Sequence, residues 1–179
     1  MVAWLLTTAA AHELEENRAT LVLRDKTHVS VTMYIAYSDA LHRALMPQRP
    51  FASFLLIYSG VKTEDLQREL LRAQDKFQAE TRMYLSPGPG REVVLTNWVW
   101  PDVKQVQRML QQRIMSAMVD PNGHAHDTPV EIHADANAPH EITAVTVKFP
   151  EEFQRVLVVS YRPNQVWADS KALSPEIKF

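Results

Sequence analysis

Residues 19–37, ATLVLRDKTHVSVTMYIAY, contain two stretches in which apolar and polar side chains alternate. The alternation runs through 19–24 and again through 28–37, and both stretches are rich in β-branched residues. A period of two is typical of a strand with one buried face, and the short polar turn Asp25-Lys26-Thr27 between them favours a hairpin. The sequence therefore predicts an antiparallel pair of strands here.

Two longer segments further along the chain have the apolar spacing of amphipathic helices. The first begins at Thr63 and extends to about Leu85, and the second covers about 101–119. A helix that lies on a core repeats its apolar residues every three or four positions. The expected core-facing residues of the first helix are Leu66, Leu70, Leu71, Ala73, Phe77 and Tyr84. Those of the second helix are Val103, Val106, Leu110, Ile114, Ala117 and Met118.

Two shorter segments precede these helices. Ser38 and Asp39 are good N-cap residues for a short helix over 39–46. FASFLLIYS, at 51–59, is a continuous apolar run whose length suits either a buried helix or a strand. After the first long helix, the two prolines and two glycines of SPGPG at 86–90 prevent its continuation.

Strand-like segments fill the rest of the chain. REVVLTNWVW at 91–100 predicts one strand, and three β-like segments follow it at 129–135, 141–149 and 155–162. Strands therefore open and close the chain while helices occupy its middle. That order is typical of an α+β fold with a largely antiparallel sheet rather than of repeated βαβ units. We expect one globular domain, residues 12–179, in which the two long amphipathic helices, about 63–85 and 101–119, pack on one face of the sheet.

The first eleven residues, MVAWLLTTAAA, are unusual for the start of a folded domain. Residues 2–6 have the composition of the end of a signal peptide's apolar region, and the three alanines at 9–11 fit a small-residue cleavage site. We expect residues 1–11 to be the remnant of a truncated signal peptide, and the protein to be periplasmic or secreted. The alternative is an apolar arm that packs on the domain of a cytoplasmic protein.

The composition and the motifs argue against several classes of function. The formal net charge is −2, so the whole chain has no basic field for nucleic acid or anionic lipid. Cysteine is absent, which excludes disulfides, thiolate metal sites and cysteine nucleophiles. No stretch after the N-terminus approaches the roughly 20 consecutive apolar residues of a membrane span. No G-x-S-x-G, P-loop or dinucleotide-binding pattern is present, so we expect a binding protein rather than an enzyme.

The stretch HAHDTPVEIHADANAPH, residues 124–140, contains four of the seven histidines of the chain. In a strand over 129–135, alternate side chains share a face. The apolar residues of that strand would face the core, and His133 would face outward with its acidic neighbours. The other histidines of the cluster flank this strand in a polar loop and at a turn: His124, His126 and His140.

Imidazole and carboxylate ligands together suit zinc or copper. The candidate ligands are therefore His124, His126, His133 and His140, and Glu131 or Asp135 is available to complete the coordination. No established ligand spacing is present, however, and histidines on a polar loop and an outward strand face need no metal. Two interpretations stay open: a solvated polar surface and a Zn or Cu site.

A second metal hypothesis concerns His12. If cleavage follows Ala11, His12 becomes the first residue and offers both its α-amine and its imidazole to copper. The alternative is a mature N-terminus that merely begins with histidine.

Several aromatic, methionine and acidic residues have two possible roles. Trp98 and Trp100 lie at strand spacing and share a face; they either cover the edge of the core or form an exposed pair that stacks on a sugar ring or anchors an interface. We expect the methionines of the second helix, at 109, 115 and 118, to be packing residues. The adjacent carboxylates Glu151 and Glu152 are expected to be solvated.

These observations leave two classes of function. The first is an exported, non-enzymatic binding or interaction module of the cell envelope, whose partner is a protein or a small ligand. The second is a zinc- or copper-binding protein that uses the cluster between His124 and His140. The absence of catalytic motifs and the apolar N-terminus favour the first class.

Overall fold

The computed structural model of this protein describes residues 17–86, 91–119 and 129–163. Within these ranges the strands are β1 (Asn17–Leu23), β2 (His28–Ile35), β3 (Arg82–Ser86), β4 (Arg91–Val93), β5 (Thr96–Val99), β6 (Val130–Asn137), β7 (Ala144–Lys148) and β8 (Val156–Tyr161). The α-helices are α1 (Tyr37–Leu45), α2 (Phe51–Gly60), α3 (Thr63–Glu80) and α4 (Val103–Val119), and a short 3-10 helix covers Glu151–Phe153. The fold is α+β, as predicted.

The larger sheet has five strands in the order β5-β6-β2-β1-β8. The predicted hairpin is confirmed, because β1 and β2 pair antiparallel with Leu21 opposite Val31. Strand β6 then pairs antiparallel along the other edge of β2. The pairing of β1 with β8 is parallel, so the sheet is mostly antiparallel and its two edge strands are β5 and β8.

A second sheet of three strands, in the order β4-β3-β7, is antiparallel throughout. Its presence corrects the prediction of one strand over 91–100. Residues 91–93 pair with β3 in the small sheet, whereas residues 96–99 pair with β6 in the large sheet. The chain leaves one sheet and enters the other at Val94 and Leu95, and Leu95 is buried at that point. Alternation predicts extended backbone but not which strand it pairs with.

The predicted helix 63–85 ends earlier than expected, at Glu80. The backbone N–H and the hydroxyl of Thr81 both donate to the carbonyl oxygen of Phe77, at 3.0 and 2.7 Å, at the end of α3. Residues 82–86 then pair with both β4 and β7 and bury every second side chain, including Met83. Tyr84 therefore belongs to β3. It was assigned to the helix only because it lies seven residues, or two helical turns, after Phe77.

The core-facing sides of the two long helices are confirmed in part. Leu66, Leu70, Ala73 and Phe77 of α3 are buried, and so are Val106 and Leu110 of α4. The prediction was wrong for three exposed residues: Leu71, Ala117 and Met118. The last turns of α4 extend past the core. Apolar residues still recur there at helical spacing, but they have no core to pack against.

The shorter helices begin differently from the prediction. Helix α1 starts at Tyr37, so Ser38 is a buried residue inside the helix rather than its cap. The first turn is supported by the side chain of Asn17, whose Oδ1 accepts a hydrogen bond from the backbone N–H of Ala36 at 2.7 Å. The apolar run at 51–59, whose length suited either a helix or a strand, forms the helix α2.

The helices cover one face of the large sheet. Strands β1, β2 and β6 bury alternate side chains, and these join the buried residues of all four α-helices in one hydrophobic cluster. The opposite face of the sheet is polar and lies open to solvent, as is common for antiparallel sheets. Over the described ranges, none of the helices combines the length and the apolarity needed to cross a bilayer.

Candidate functional site

Asp135, on the open face of the large sheet, accepts hydrogen bonds from side chains of two other strands, β2 and β5. Its Oδ1 lies 3.0 Å from His28 Nε2 and accepts from the Ser30 hydroxyl at 3.1 Å. Its Oδ2 accepts from the amide of Asn97 at 3.2 Å. The hydrogen bond from His28 is the main reason why the pKa of Asp135 lies below its usual value, and Asn97 and Ser30 lower this pKa further. Asp135 is therefore an anchor that ties β2 and β5 to β6.

Asn97 reaches Asp135 because β5 carries a bulge. The register between β5 and β6 shifts between Thr96 and Val99, and Asn97 has a positive φ of 53°. Asparagine is one of the few non-glycine residues that tolerate this left-handed conformation. A bulge turns the following side chains away from the direction that simple alternation gives them.

Trp98 is the residue that follows the bulge, and its side chain is held on two sides. Its ring stacks on Trp100 with a centroid distance of 5.4 Å and an interplanar angle of 10°. Its Nε1–H donates to the carbonyl oxygen of Leu95 at 3.1 Å. Trp100 in turn contacts the buried rings of Tyr37 and Phe77. The pair therefore covers the edge of the core, as the sequence favoured, while Trp98 stays partly exposed.

That exposed part of Trp98 lines an open cleft of about 350 Å³, which we call the Trp98 cleft. The cleft lies between the C-terminal half of α3 and the β4–β5 segment. Its lining includes Asp75, Gln78, Arg82, Glu92, Leu95 and Trp98. Cavities of a few hundred cubic ångströms with an apolar floor and a few converging polar groups are the usual form of small-ligand sites.

The polar groups of the Trp98 cleft differ in how far they are already engaged. Arg82 and Glu92 form an ion pair with an N–O distance of 2.6 Å. Asp75 and Gln78 lie one helical turn apart on α3, and within the described ranges neither side chain has a hydrogen-bond partner. The cleft therefore offers a carboxylate and an amide that are free to bind a ligand, beside a guanidinium with further donors.

His133 of the predicted metal cluster lies on the same open sheet face as Asp135. Its Nε2 lies 2.7 Å from Glu131 Oε1, and its Nδ1 lies 3.2 Å from the hydroxyl of Thr32. Because an ionised carboxylate only accepts, Nε2 donates to Glu131, and Nδ1 pairs with the Thr32 hydroxyl. Both ring nitrogens of His133 are thus engaged by protein groups.

The other predicted ligands are not brought to His133 within the described part of the chain. His140 is exposed at the turn after β6. Among the residues described, no group of three or more His, Asp or Glu side chains is arranged to hold a metal ion. His12, His124 and His126 lie outside the described residues, so the Zn or Cu site stays a prediction.

Sequence reasoning missed the Trp98 cleft as a site. One residue of the cleft did stand out in the sequence, since Trp98 was considered as a residue that stacks on a sugar ring. Asp75, Gln78 and Arg82 gave no signal, because in sequence they are ordinary polar residues of a solvated helix face and a strand. Comparison of this chain with family models, with curated proteins and with solved structures finds no match.

We expect the contribution of Asp135 to stability to depend on pH. Its pKa is lowered in the folded state, so the unfolded state takes up the proton first as the pH falls. The contribution is therefore complete above the unfolded value of about 3.9 and is lost as the pH falls through the lower folded value. Urea unfolding of the wild type and of Asp135→Asn should show a stability difference at pH 6 that shrinks towards pH 3. A difference that stays constant over this range would contradict the role of the ionised carboxylate.

Proposed function

We propose that this protein is a non-enzymatic binding module of the cell envelope and that the Trp98 cleft holds one saccharide unit of a larger glycan. The observation that carries this proposal is the composition of the cleft. A partly exposed indole lies beside an unpaired carboxylate, an unpaired amide and a guanidinium in a space of about 350 Å³.

The chemistry of a sugar ring matches these groups. One face of a pyranose carries mainly C–H groups and packs against the flat face of an indole, which supplies a large apolar contact at low conformational cost. The hydroxyls at the rim of the ring are both donors and acceptors. Asp75 can accept from them, Arg82 can donate to them, and the Gln78 amide can do both.

Binding without hydrolysis is favoured by the state of the carboxylates. A glycosidase needs one carboxylic acid that is kept protonated in an apolar environment beside a second, ionised one. Glu92 is instead half-exposed and paired with Arg82. An ionised, paired carboxylate positions a ligand but does not donate a proton to a leaving group.

The test is binding to a panel of immobilised glycans, followed by titration with the glycan that binds. We expect Asp75→Ala and Gln78→Ala each to weaken binding by about tenfold, because each loses hydrogen bonds worth about 1.5 kcal/mol to the ligand. Alanine is the best helix former, so neither change should disturb α3. Gln67→Ala, at an exposed position of the same helix outside the cleft, is the matched control.

A third variant separates stacking from hydrogen bonding. Trp98→Ala should abolish binding, while Tyr161→Ala, which removes an exposed aromatic ring on β8, should leave it unchanged. If the whole panel fails to bind, or if Gln67→Ala weakens binding as much as Gln78→Ala, the cleft is not a saccharide site.

The location in the cell envelope is supported by residues 1–11, which lie outside the described ranges. We expect the full gene product to be exported and its mature chain to begin at or near His12, because the apolar start ends in three alanines. N-terminal sequencing of the protein from its native host measures this. Recovery of a cytosolic chain that begins MVAWLL would exclude it.

A further inference from the structure

The outer sides of α2 and α4 form an exposed apolar surface, which we call the α2–α4 surface. Helix α2, FASFLLIYSG, contains no charged residue, yet Leu56 is 68% exposed and Ile57 is exposed beside it. On the last turns of α4, Met118 is 76% exposed, and Met115 and Val119 are exposed as well. These methionines are not the packing residues that the sequence suggested.

The two helices lie side by side and run in opposite directions. Gln107 Nε2 donates to the carbonyl oxygen of Val61 at 3.0 Å, and Gln111 Nε2, one turn further along α4, donates to that of Ser59 at 3.2 Å. Continuing in this direction brings the C-terminal turns of α4 alongside the N-terminal half of α2, where the Arg113 guanidinium lies 5.7 Å from the Phe51 ring. The exposed side chains of the two helices therefore belong to one surface.

An apolar surface of this kind is unusual on a folded chain. A helix that is apolar on all sides is normally buried on all sides, and a contiguous exposed apolar patch marks a place where something else docks. Here the outer side of α2 and the end of α4 stay exposed in the folded chain.

The two helices that form this surface contain no acidic residue. Segments 47–62 and 103–119 together contain no Asp or Glu, and their basic residues are Arg49, Lys62, Lys104, Arg108 and Arg113. Within the described ranges, none of these five forms an ion pair with a carboxylate. The chain as a whole has a formal net charge of −2, whereas α4 carries the exposed basic residues Lys104 and Arg108 and no acidic residue.

We propose that the α2–α4 surface docks peripherally on a bilayer that contains anionic phospholipid. Leu56, Ile57, Met115, Met118 and Val119 would enter the boundary between headgroups and acyl chains. The exposed Lys104 and Arg108 would keep their stems along the apolar surface and their charges at the phosphates. Exposed apolar side chains beside basic ones are the pattern of a surface that binds at the headgroup boundary of an anionic bilayer.

The experiment is co-sedimentation of the full chain with vesicles made of equal parts phosphatidylglycerol and phosphatidylcholine, against vesicles of phosphatidylcholine alone. We expect binding to the anionic vesicles only, and weaker binding as salt is added. Lys104→Gln combined with Arg108→Gln should lower the affinity about 25-fold, because each basic residue near the surface is worth about fivefold. The matched control, Lys26→Gln combined with Lys148→Gln, removes the same charge elsewhere and should have little effect.

A second pair of variants tests the apolar part. Leu56→Gln combined with Met115→Gln should abolish binding, and Val94→Gln, which changes an equally exposed apolar residue on the β4–β5 connection, should not. Wild-type protein that ignores anionic vesicles, or an equal loss in both charge variants, would overturn the proposal. So would a dimer in solution that the Leu56/Met115 variant converts to a monomer, because a second copy of the chain would then occupy the surface.

Discussion

Replacing Leu70 by alanine is expected to lower the free energy of unfolding by about 2–5 kcal/mol, the range for removing a buried leucine side chain from a close-packed core. Leu70 is 2% exposed on the inner side of α3. Its neighbour Leu71 is 51% exposed on the same helix, so Leu71→Ala is the matched control and should cost less than about 0.5 kcal/mol. Urea unfolding of both variants measures the difference.

The comparison of these two leucines tests the orientation of α3 directly. Both residues were assigned to one apolar stripe from the sequence, and only the packed structure separates them. A loss below about 0.5 kcal/mol for Leu70→Ala, or equal losses for the two variants, would mean that α3 presents a different side to the sheet.

Replacing Lys76 by methionine is the second change with a large expected effect. Glu152 is 3% exposed, and its carboxylate is paired with the Nζ of Lys76. The hydrogen bond from this ammonium to Glu152 also raises the pKa of Lys76. Removing one partner of a buried pair leaves a charge without compensation, which typically costs 3–5 kcal/mol. Because Lys76 itself is 41% exposed, we expect about 3 kcal/mol or somewhat less.

A double-mutant cycle separates this charge effect from simple loss of packing. Adding Glu152→Gln to Lys76→Met removes the uncompensated charge and should restore part of the stability. If Lys76→Met costs less than about 1 kcal/mol, the estimate from buried ion pairs does not apply to Glu152. A double variant that is less stable than Lys76→Met would also contradict this account.

Glu152 shows why neighbouring carboxylates could not be assigned from the sequence. Both members of the pair at 151 and 152 were expected to be solvated, and Glu151 is exposed. The 3-10 turn after Pro150 instead directs Glu152 inward beside the buried Phe153. The guanidinium of Arg43 donates to the backbone carbonyl of Glu152 at 2.7 Å and holds this turn against α1. The cation that pairs with Glu152 comes from α3, 76 residues away in sequence.

Only parts of the candidate site could be predicted from the sequence. The open sheet face that carries Glu131, His133 and Asp135 was predicted by alternation, and β6 confirms it. The bulge at Asn97 was not predicted, because its cause is the pairing of β5 with β6 and the hydrogen bond to Asp135. The Trp98 cleft was missed because its walls come from α3 and from two different sheets.

The formal net charge of the whole chain was likewise not enough to predict a surface feature. A formal net charge of −2 argued against an anionic surface as a partner. Net charge is a sum, however, and a docking surface depends on where the charges lie. Net charge does not show that α4 carries only basic charged residues and that its exposed end adjoins the exposed apolar side chains of α2.

The sequence by itself determined the local features of this protein: the α+β class, the hairpin of β1 and β2, the inner sides of α3 and α4, and the outward row on β6. Each follows from a period of two or of about 3.6, which neighbouring residues set without reference to distant ones. The tertiary structure decided the rest. Pairing with a distant strand ended α3 at Glu80 and divided residues 91–100 between two sheets, and helix packing exposed Leu71 and Met118. These outcomes depend on contacts between residues far apart in sequence, and no local period records such contacts.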